Sequence, residues 1–498
     1  MFLLHILAIG ACLLWYFVRS DKRKQGSNIP TIRRWPALFP EFLDRLSYNS
    51  CAARLVENGY REHKDRPFRL LKMDMDLVVI PLKYAQEMRA LTSDELDPLT
   101  AVFDDNVGKV TGILLDSQLH THAIQRRLTP RLPNIIPAMM DELNYAFQQV
   151  IPSEAGERLQ TSWVPINPYD MVLELSTRAA ARLFVGEPIC RDEVFLKTSA
   201  AYSRNIFDTI HVSRSLGHII TPYLGSLIPS VRQFHQQFEY IQNLVLGEIA
   251  HRKQHSEDNK ADDFLQWCME LARTKEESTP TALAQRTVGI LSMAVVHTSA
   301  MATTHLLFDM ISNQELREQL RTEQKQVLKQ GWMGITQQTM LDMKQLDSVM
   351  RESQRINPVG EFTFRRIVRK PITLSDGFQL HPGQQIAIAA RCINTDGDVL
   401  PDAETFKPMR WMEKESAAST GFAHSSDSNL HFGLGRYACP GRFLASYMIK
   451  AIISRVLFDY EFKLQDDSAA GRPPNLIHGD KIFPSRDVTV LFRRRHDE

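Results

Sequence analysis

Phe432-Gly-Leu-Gly-Arg-Tyr-Ala-Cys439-Pro-Gly441 is the stretch on which the reading of this chain turns. Its glycines permit tight turns and close backbone approach. Beyond Pro440-Gly441, the apolar-periodic run Phe443–Leu457 reads as a helix. Cys439 therefore lies in a glycine-rich loop that enters a helix N-terminus. Backbone N–H groups and the helix dipole there favour an anion, and so a thiolate. Such a thiolate can act as a nucleophile or a metal ligand. A cysteine with no metal-spaced partner also fits a single axial bond to haem iron.

Composition narrows the frame around this loop. The 498 residues carry 59 Lys+Arg against 58 Asp+Glu, a net charge of +1, with 43% hydrophobic and 23% charged residues. These values exclude a disordered chain, a collagen and a multi-span membrane protein. The near-zero charge gives no support for a nucleic-acid partner. The 6 Cys are too sparse for a disulfide scaffold, and none has zinc spacing.

The N-terminus reads as an anchor. Phe2–Val18 lacks Asp, Glu, Lys and Arg and would reach roughly 26 Å as a helix. Trp15, Tyr16 and Phe17 stand at its end, followed by Arg19, Lys22, Arg23 and Lys24. By the positive-inside rule the remaining chain faces the cytosol. A cleaved signal peptide would carry its charges first and a small-residue site after. Residues 1–18 are thus expected to form a single transmembrane signal anchor, 19–40 a basic, Pro-containing hinge, and 41–498 one domain.

That domain is predicted to be mainly α with a minor β-sheet component. Helical periodicity marks Ile135–Val150, Leu173–Phe184, Val231–Arg252, Ala282–Met310, Asn313–Lys329 and Asp342–Ile356. Ala282–Met310 is apolar nearly all round and should be a core helix. Strand-like patches are short: Leu77–Ile80, Ile372–Leu374, Gln385–Ala389 and Val488–Phe492. Glu415–Ser428 reads as a surface loop.

The cysteine segment resembles the ligand signature of the cytochrome P450 superfamily, matching it at Phe432, Gly435, Cys439 and Gly441. The chain departs where the family has Arg or His two residues before the Cys: here stands Tyr437, with Arg436 beside it. In the family that position bonds a haem propionate. Glu352-Ser-Gln-Arg355 supplies an E-x-x-R pair on one helix face. The resemblance joins it to Arg410, in Pro408-Met-Arg410-Trp411, as support for the fold and for haem loading. Ala294-Val-Val-His297-Thr298 corresponds to the family's dioxygen-activating helix segment, with His297 in place of the acid. A mid-helix Thr can bond back to a carbonyl and loosen the helix. Thr298 is the expected oxygen-activating residue. His297, which ordinarily titrates near neutrality, is either a proton shuttle or a polar residue facing away. For the haem propionates the resemblance implies His122 and Arg126, four apart, and Arg366, with Arg365 as its competitor.

The resemblance is to the membrane-anchored, microsomal-type class, and within it to fungal enzymes such as those like ent-kaurene oxidase and those that tailor terpenoid and indole-derived scaffolds. It implies the cytochrome P450 fold and heme b with iron bound by the Cys439 thiolate. The implied activity is a monooxygenase acting with O2 on a small lipophilic substrate, by hydroxylation or epoxidation. Electrons would come from NADPH-cytochrome P450 reductase, docking near Arg126, Arg127, Arg131 and Arg442. The implied place is the endoplasmic reticulum membrane, single-pass, with the catalytic domain cytosolic. Pro98–Asp116, Tyr202–Val212 and Asn357–Thr363 are expected as pocket loops, and their apolar composition predicts a bulky apolar substrate. Two rivals stay open: a reductase-independent haem-thiolate isomerase or dehydratase, and a non-catalytic haem sensor.

Overall fold

The computed structural model describes residues 29–113, 115–151, 163–224, 227–255, 261–412, 421–427, 429–466 and 471–495. The expected anchor 1–18, the hinge as far as 28, and residues 415–420 and 428 of the expected loop lie outside the described residues. Ten helices matter for the site: α1 (Glu41–Glu62), α2 (Leu132–Val150), α3 (Pro168–Phe184), α4 (Glu193–Leu224), α5 (Pro229–Gln254), α6 (Phe264–Leu271), α7 (Pro280–Ile311), α8 (Gln314–Val327), α9 (Lys344–Ile356) and α10 (Arg442–Asp459).

Several helices start on a capping side chain. Asn167, Asp263, Thr279 and Asn313 each accept a hydrogen bond from a first-turn N–H. Pro follows Asn167 and Thr279 at the first helical position, where its missing N–H costs nothing. By length and composition α7 could cross a membrane, the one such helix among the described residues. It is instead packed on α3, α9 and α10 in the main apolar core and is the central helix of the domain.

The sheet component is larger than the sequence patches suggested. One sheet has the order β1-β2-β3-β9-β6-β4, comprising Thr31–Ile32, Phe68–Leu70, Leu77–Val79, Gln385–Ile388, Thr363–Val368 and Leu96–Asp97 respectively. A second has the order β10 (Tyr460–Leu464), β13 (Val490–Arg494), β5 (Val164–Ile166). A hairpin of β11 (Asn475–His478) and β12 (Lys481–Pro484) packs against α7, and β7 (Ile372–Thr373) pairs with β8 (Gln379–Leu380).

Three expectations change. Tyr202–Val212 is not a loop but the middle of the 32-residue α4. Within Pro98–Asp116, Pro98–Asp105 is a helix and Gly108–Thr111 a single helical turn. The end of the hinge is built into the domain: Thr31–Ile32 pairs in parallel with β2. Asp44 accepts from Arg33 Nε at 2.7 Å and from the backbone N–H groups of Arg34 and Trp35.

Candidate active site

Cys439 occupies a folded-back loop. Its N–H donates to the Phe432 carbonyl at 2.7 Å, Gly433 N–H to Leu430 at 2.9 Å, and Thr363 Oγ1 on β6 to Leu430 at 2.9 Å. Gly433 (φ 76°) and Gly435 (φ 68°) are left-handed. A Cβ on Gly435 would stand 2.9 Å from Arg89 Cβ and 3.1 Å from the Arg89 carbonyl oxygen. Only glycine fits there. Gly441 is the N-cap of α10.

The backbone N–H groups of Gly441 and Arg442 face the Cys439 sulfur. Cys439 is solvent-accessible although protein surrounds it, the situation of a residue on the wall of an interior space. Burial pushes the thiol pKa up; the two N–H bonds and the Arg442 charge pull it back only in part. The loop alone therefore does not produce the thiolate expected from the helix terminus. An iron ion would, because coordination deprotonates a thiol outright.

The two arginines of β6 part company. The strand carries a register shift between Thr363 and Arg366, with Phe364 at φ 53°. Such a bulge re-aims neighbouring side chains. Arg365 pairs with Asp105 at 2.6 Å and with Asp480, inside a buried charge cluster that includes Lys72 and Arg214. Arg366 is 6% exposed and donates to the Arg365 carbonyl at 2.8 Å. It has no carboxylate within ion-pair distance among the described residues. Burial lowers its pKa to about 10. Its guanidinium lies 5.4 Å from the Tyr437 ring and 4.2 Å from that of Phe364. A buried cation beside the cysteine loop without an anion suits an acidic ligand. Together with the cysteine donor, this unpaired buried cation fits a haem and its propionates.

The other expected cofactor residues are placed less decisively. Phe432 is half-buried, with His431 at 4.4 Å and Phe422 at 5.3 Å between ring centres. Arg436 is exposed. His122 and exposed Arg126 sit together on the helical stretch 119–131, which packs on α6. Burial first, and Arg126 next, lower the His122 pKa. Nearby Arg127 and Arg131 pair with Glu270 at 3.4 Å and Asp262 at 3.5 Å.

Helix α7 widens where the sequence led us to expect it. Ile290–Val296 is a π-helical stretch, and Thr298 Oγ1 donates to the Ala294 carbonyl at 2.7 Å. Ala294, Thr298 and Ala302 share one face and stay at least partly open in a helix whose middle is largely buried. Half-buried Phe207, Met293, Val359 and Phe432 pack on the same core. His297 leaves the helix in another direction. It is fully buried, shares a 2.9 Å hydrogen bond between Nδ1 and Tyr169 Oη, and stacks on Phe207 at 3.9 Å. Burial and then Arg486 lower its pKa to about 3. The neutral-range titration expected of an ordinary imidazole is thus removed by its surroundings.

The E-x-x-R pair closes as the resemblance implied. Glu352 accepts from Arg355 at 2.9 and 2.7 Å, from Arg410 at 3.1 Å and from Trp411 Nε1 at 3.1 Å. Asp347, on the same helix, pairs with Lys450 of α10 at 2.6 Å, which ties α9 to the helix leaving the cysteine loop. Sequence reasoning missed Tyr169 and Arg89. Each meets its partner only through the tertiary fold, and no local pattern marks either. A separate cleft of about 790 Å³ lies between α2, α3, α5 and α6, lined by paired charges such as Arg252 and Asp263; it contains none of the site residues.

A family model described as cytochrome P450 matches residues 68–480. The cytochrome P450 monooxygenase ltmP of Epichloe festucae var. lolii is 64% identical over 99% of this chain and 98% of its own length. That named terP, of Tolypocladium album, is 62% identical over 99% and 97%. That named paxP, of Penicillium paxilli, is 41% identical over 99% and 95%. The solved structure of retinoic acid-bound cyanobacterial CYP120A1 superposes with a TM-score of 0.71, covering 94% of this chain and 99% of its own, at 16% identity. That likeness concerns the fold.

Proposed function

The chain belongs to the cytochrome P450 family and is a monooxygenase with a cysteine-ligated haem; from that premise we propose that Cys439 is the ligand and that the substrate is a bulky apolar terpenoid or indole-derived secondary metabolite. The observation that carries the ligand assignment is a solvent-accessible Cys439 ringed by protein, with two backbone N–H groups directed at its sulfur. When bound, the haem supplies dioxygen activation and insertion of one oxygen atom into the substrate.

The protein's own residues supply the rest. Arg366 and Tyr437 hold a propionate, one by charge and one by a hydroxyl; His122, Arg126 and Arg436 are the candidates for the other. Phe432 packs beside the ligand loop. Thr298 sits on the open face of the widened helix, where its hydroxyl can release Ala294 and hand on a proton. Small Ala294 and Ala302 leave room on that face, and Phe207, Met293 and Val359 offer an apolar wall that excludes water. His297 acts as a structural residue rather than a proton shuttle. Electrons come from NADPH-cytochrome P450 reductase. Residues 1–18 anchor the chain in the endoplasmic reticulum membrane with the domain cytosolic, a reading supported by the charge pattern around Phe2–Val18.

The test is the reduced, carbon-monoxide-bound difference spectrum of the full chain beside Cys439→Ala, followed by NADPH-driven turnover of indole-terpenoid candidates with reductase. A thiolate-type band lost in the variant and reductase-dependent product are expected. A band that survives Cys439→Ala refutes the ligand assignment. Product without reductase refutes the electron source.

A further inference from the structure

One buried imidazole joins four elements of the fold. His297 is the first residue of α7 beyond the π-helical stretch Ile290–Val296. Its Nδ1 shares a 2.9 Å hydrogen bond with Tyr169 Oη, at the start of α3. Its ring stacks on Phe207 of α4 at 3.9 Å and 23°, and Phe483 of β12 stands edge-on at 6.3 Å. Tyr169 is itself held: the Arg486 guanidinium lies 5.2 Å over its ring, and Asn167, the cap of α3, donates to the Arg486 carbonyl at 2.6 Å. The Tyr169 bond is the one hydrogen bond to the imidazole among the described residues, and Nε2 is buried without a partner.

The position of this contact matters because a π stretch must return to α register somewhere. Each residue turns the helix by about 100°, so the return point fixes where the next side chain aims. That next side chain is Thr298. Its hydroxyl already bonds a carbonyl inside the widened stretch, at Ala294. Nothing in the local sequence holds a widened helix open, since i→i+5 bonding is not the helix's own preference. A side chain tied to a neighbouring helix at the return point can hold it.

We propose that Tyr169, acting through His297, is a positioning residue: it fixes where α7 returns to α register and so aims the Thr298 hydroxyl at the interior space. Phe207 extends the tie to α4, so movement of that helix is transmitted to the same point. The inference rests on the monooxygenase reading, but its first readout does not need the haem to turn over.

The experiment compares full-length Tyr169→Phe, His297→Phe, the double variant and His297→Gln. The first measurement is amide hydrogen–deuterium exchange over 290–300. The second is the share of NADPH electrons recovered as hydrogen peroxide in substrate-free turnover with reductase. Dioxygen takes two electrons and two protons to leave as peroxide, and four of each to leave as two waters, so misdirected proton delivery raises the peroxide share. Tyr169→Phe keeps the ring and its Arg486 contact and removes one hydroxyl. The expected result is haem content equal to the parent, exchange over 290–300 about fivefold faster, and a higher peroxide share. The double variant should be no worse than either single one, because both remove the same bond. His297→Gln, which can still bond the Tyr169 hydroxyl, should recover most of the parental values. Unchanged exchange and peroxide share in Tyr169→Phe, or effects that add in the double variant, would overturn the proposal. Failure of the monooxygenase reading would look different: the parent itself would lack the thiolate-haem band.

Discussion

Replacing Glu352 by Ala tests the buried charge arrangement under the cysteine loop. The carboxylate is fully buried and accepts five hydrogen bonds: two from Arg355 at 2.9 and 2.7 Å, one from Arg410 at 3.1 Å, one from Trp411 Nε1 at 3.1 Å and one from the Lys407 N–H at 2.9 Å. Its removal leaves two guanidiniums without their shared anion. Both still reach backbone carbonyls, Arg355 those of Asn394 and Thr405, Arg410 those of Pro401 and Asp402. Their donors are therefore not all stranded. The cost then falls in the usual range for breaking a buried ion pair, about 3–5 kcal/mol. A domain stable by about 5–15 kcal/mol loses a large share of that. The assay is the urea concentration at which the thiolate-haem band is half lost, together with haem content per chain. Glu352→Ala should lower both sharply, and Glu352→Gln, which keeps one acceptor oxygen, should lower them less. A Glu352→Ala protein with the parental midpoint and full haem content would refute the reasoning, because the two cations would then not depend on this anion.

Gly435→Ala should cost about 1–3 kcal/mol through left-handed strain and collision with Arg89. Gly441→Ala, at φ −87° with nothing within 4 Å of the new Cβ, should be close to neutral; thermal unfolding separates the two. Arg366→Leu should speed haem transfer to an acceptor globin with little loss of stability. Arg365→Leu should do the reverse, because Asp105 and Asp480 lose a partner in their buried cluster. Burial raises the pKa values of Glu352 and Asp480, but the bonds and charge of Arg355, and the charges of Arg365 and Arg214, outweigh it and hold both below the usual range. Their contribution is present above the unfolded-state values, roughly pH 4–4.5, and is lost as pH falls through the folded ones. The melting temperature should therefore owe no loss to these two groups between about pH 5 and 8 and should fall steeply in acid; a decline from these groups at neutral pH would contradict the pairing.

The cysteine loop, the E-x-x-R pair and the core helix could be read from sequence because each is a local pattern. A Cys between glycines before an apolar run, a charged pair three apart and a long apolar helix with a mid-helix Thr all depend on spacing along one element. Thr298 bonding back to Ala294 is of this kind, since donor and acceptor lie one turn apart. The short strands were less legible: two-residue segments such as Thr31–Ile32 and Leu96–Asp97 have no period to detect and are defined by the neighbours they pair with. The middle of α4 does not show as helix in the sequence because its apolar face is recognisable only against α5 and α3, on which it packs.

Sequence alone carried the resemblance that gives the class of the protein, and the glycine-bounded loop around Cys439. It left Arg365 and Arg366 undecided, since adjacent residues in a strand differ only in which way they face. The bulge at Thr363–Arg366 decides that, sending Arg365 into a charge cluster and leaving Arg366 without an anion beside Tyr437. It left His297 undecided as well, because an imidazole's proton depends on what surrounds it. Packing against Tyr169, Phe207 and Phe483, from segments far away in the chain, removes water from the ring and keeps it neutral. Local chemistry belongs to spacing along the chain; the charge and direction of a side chain belong to the neighbours that only the folded structure brings to it.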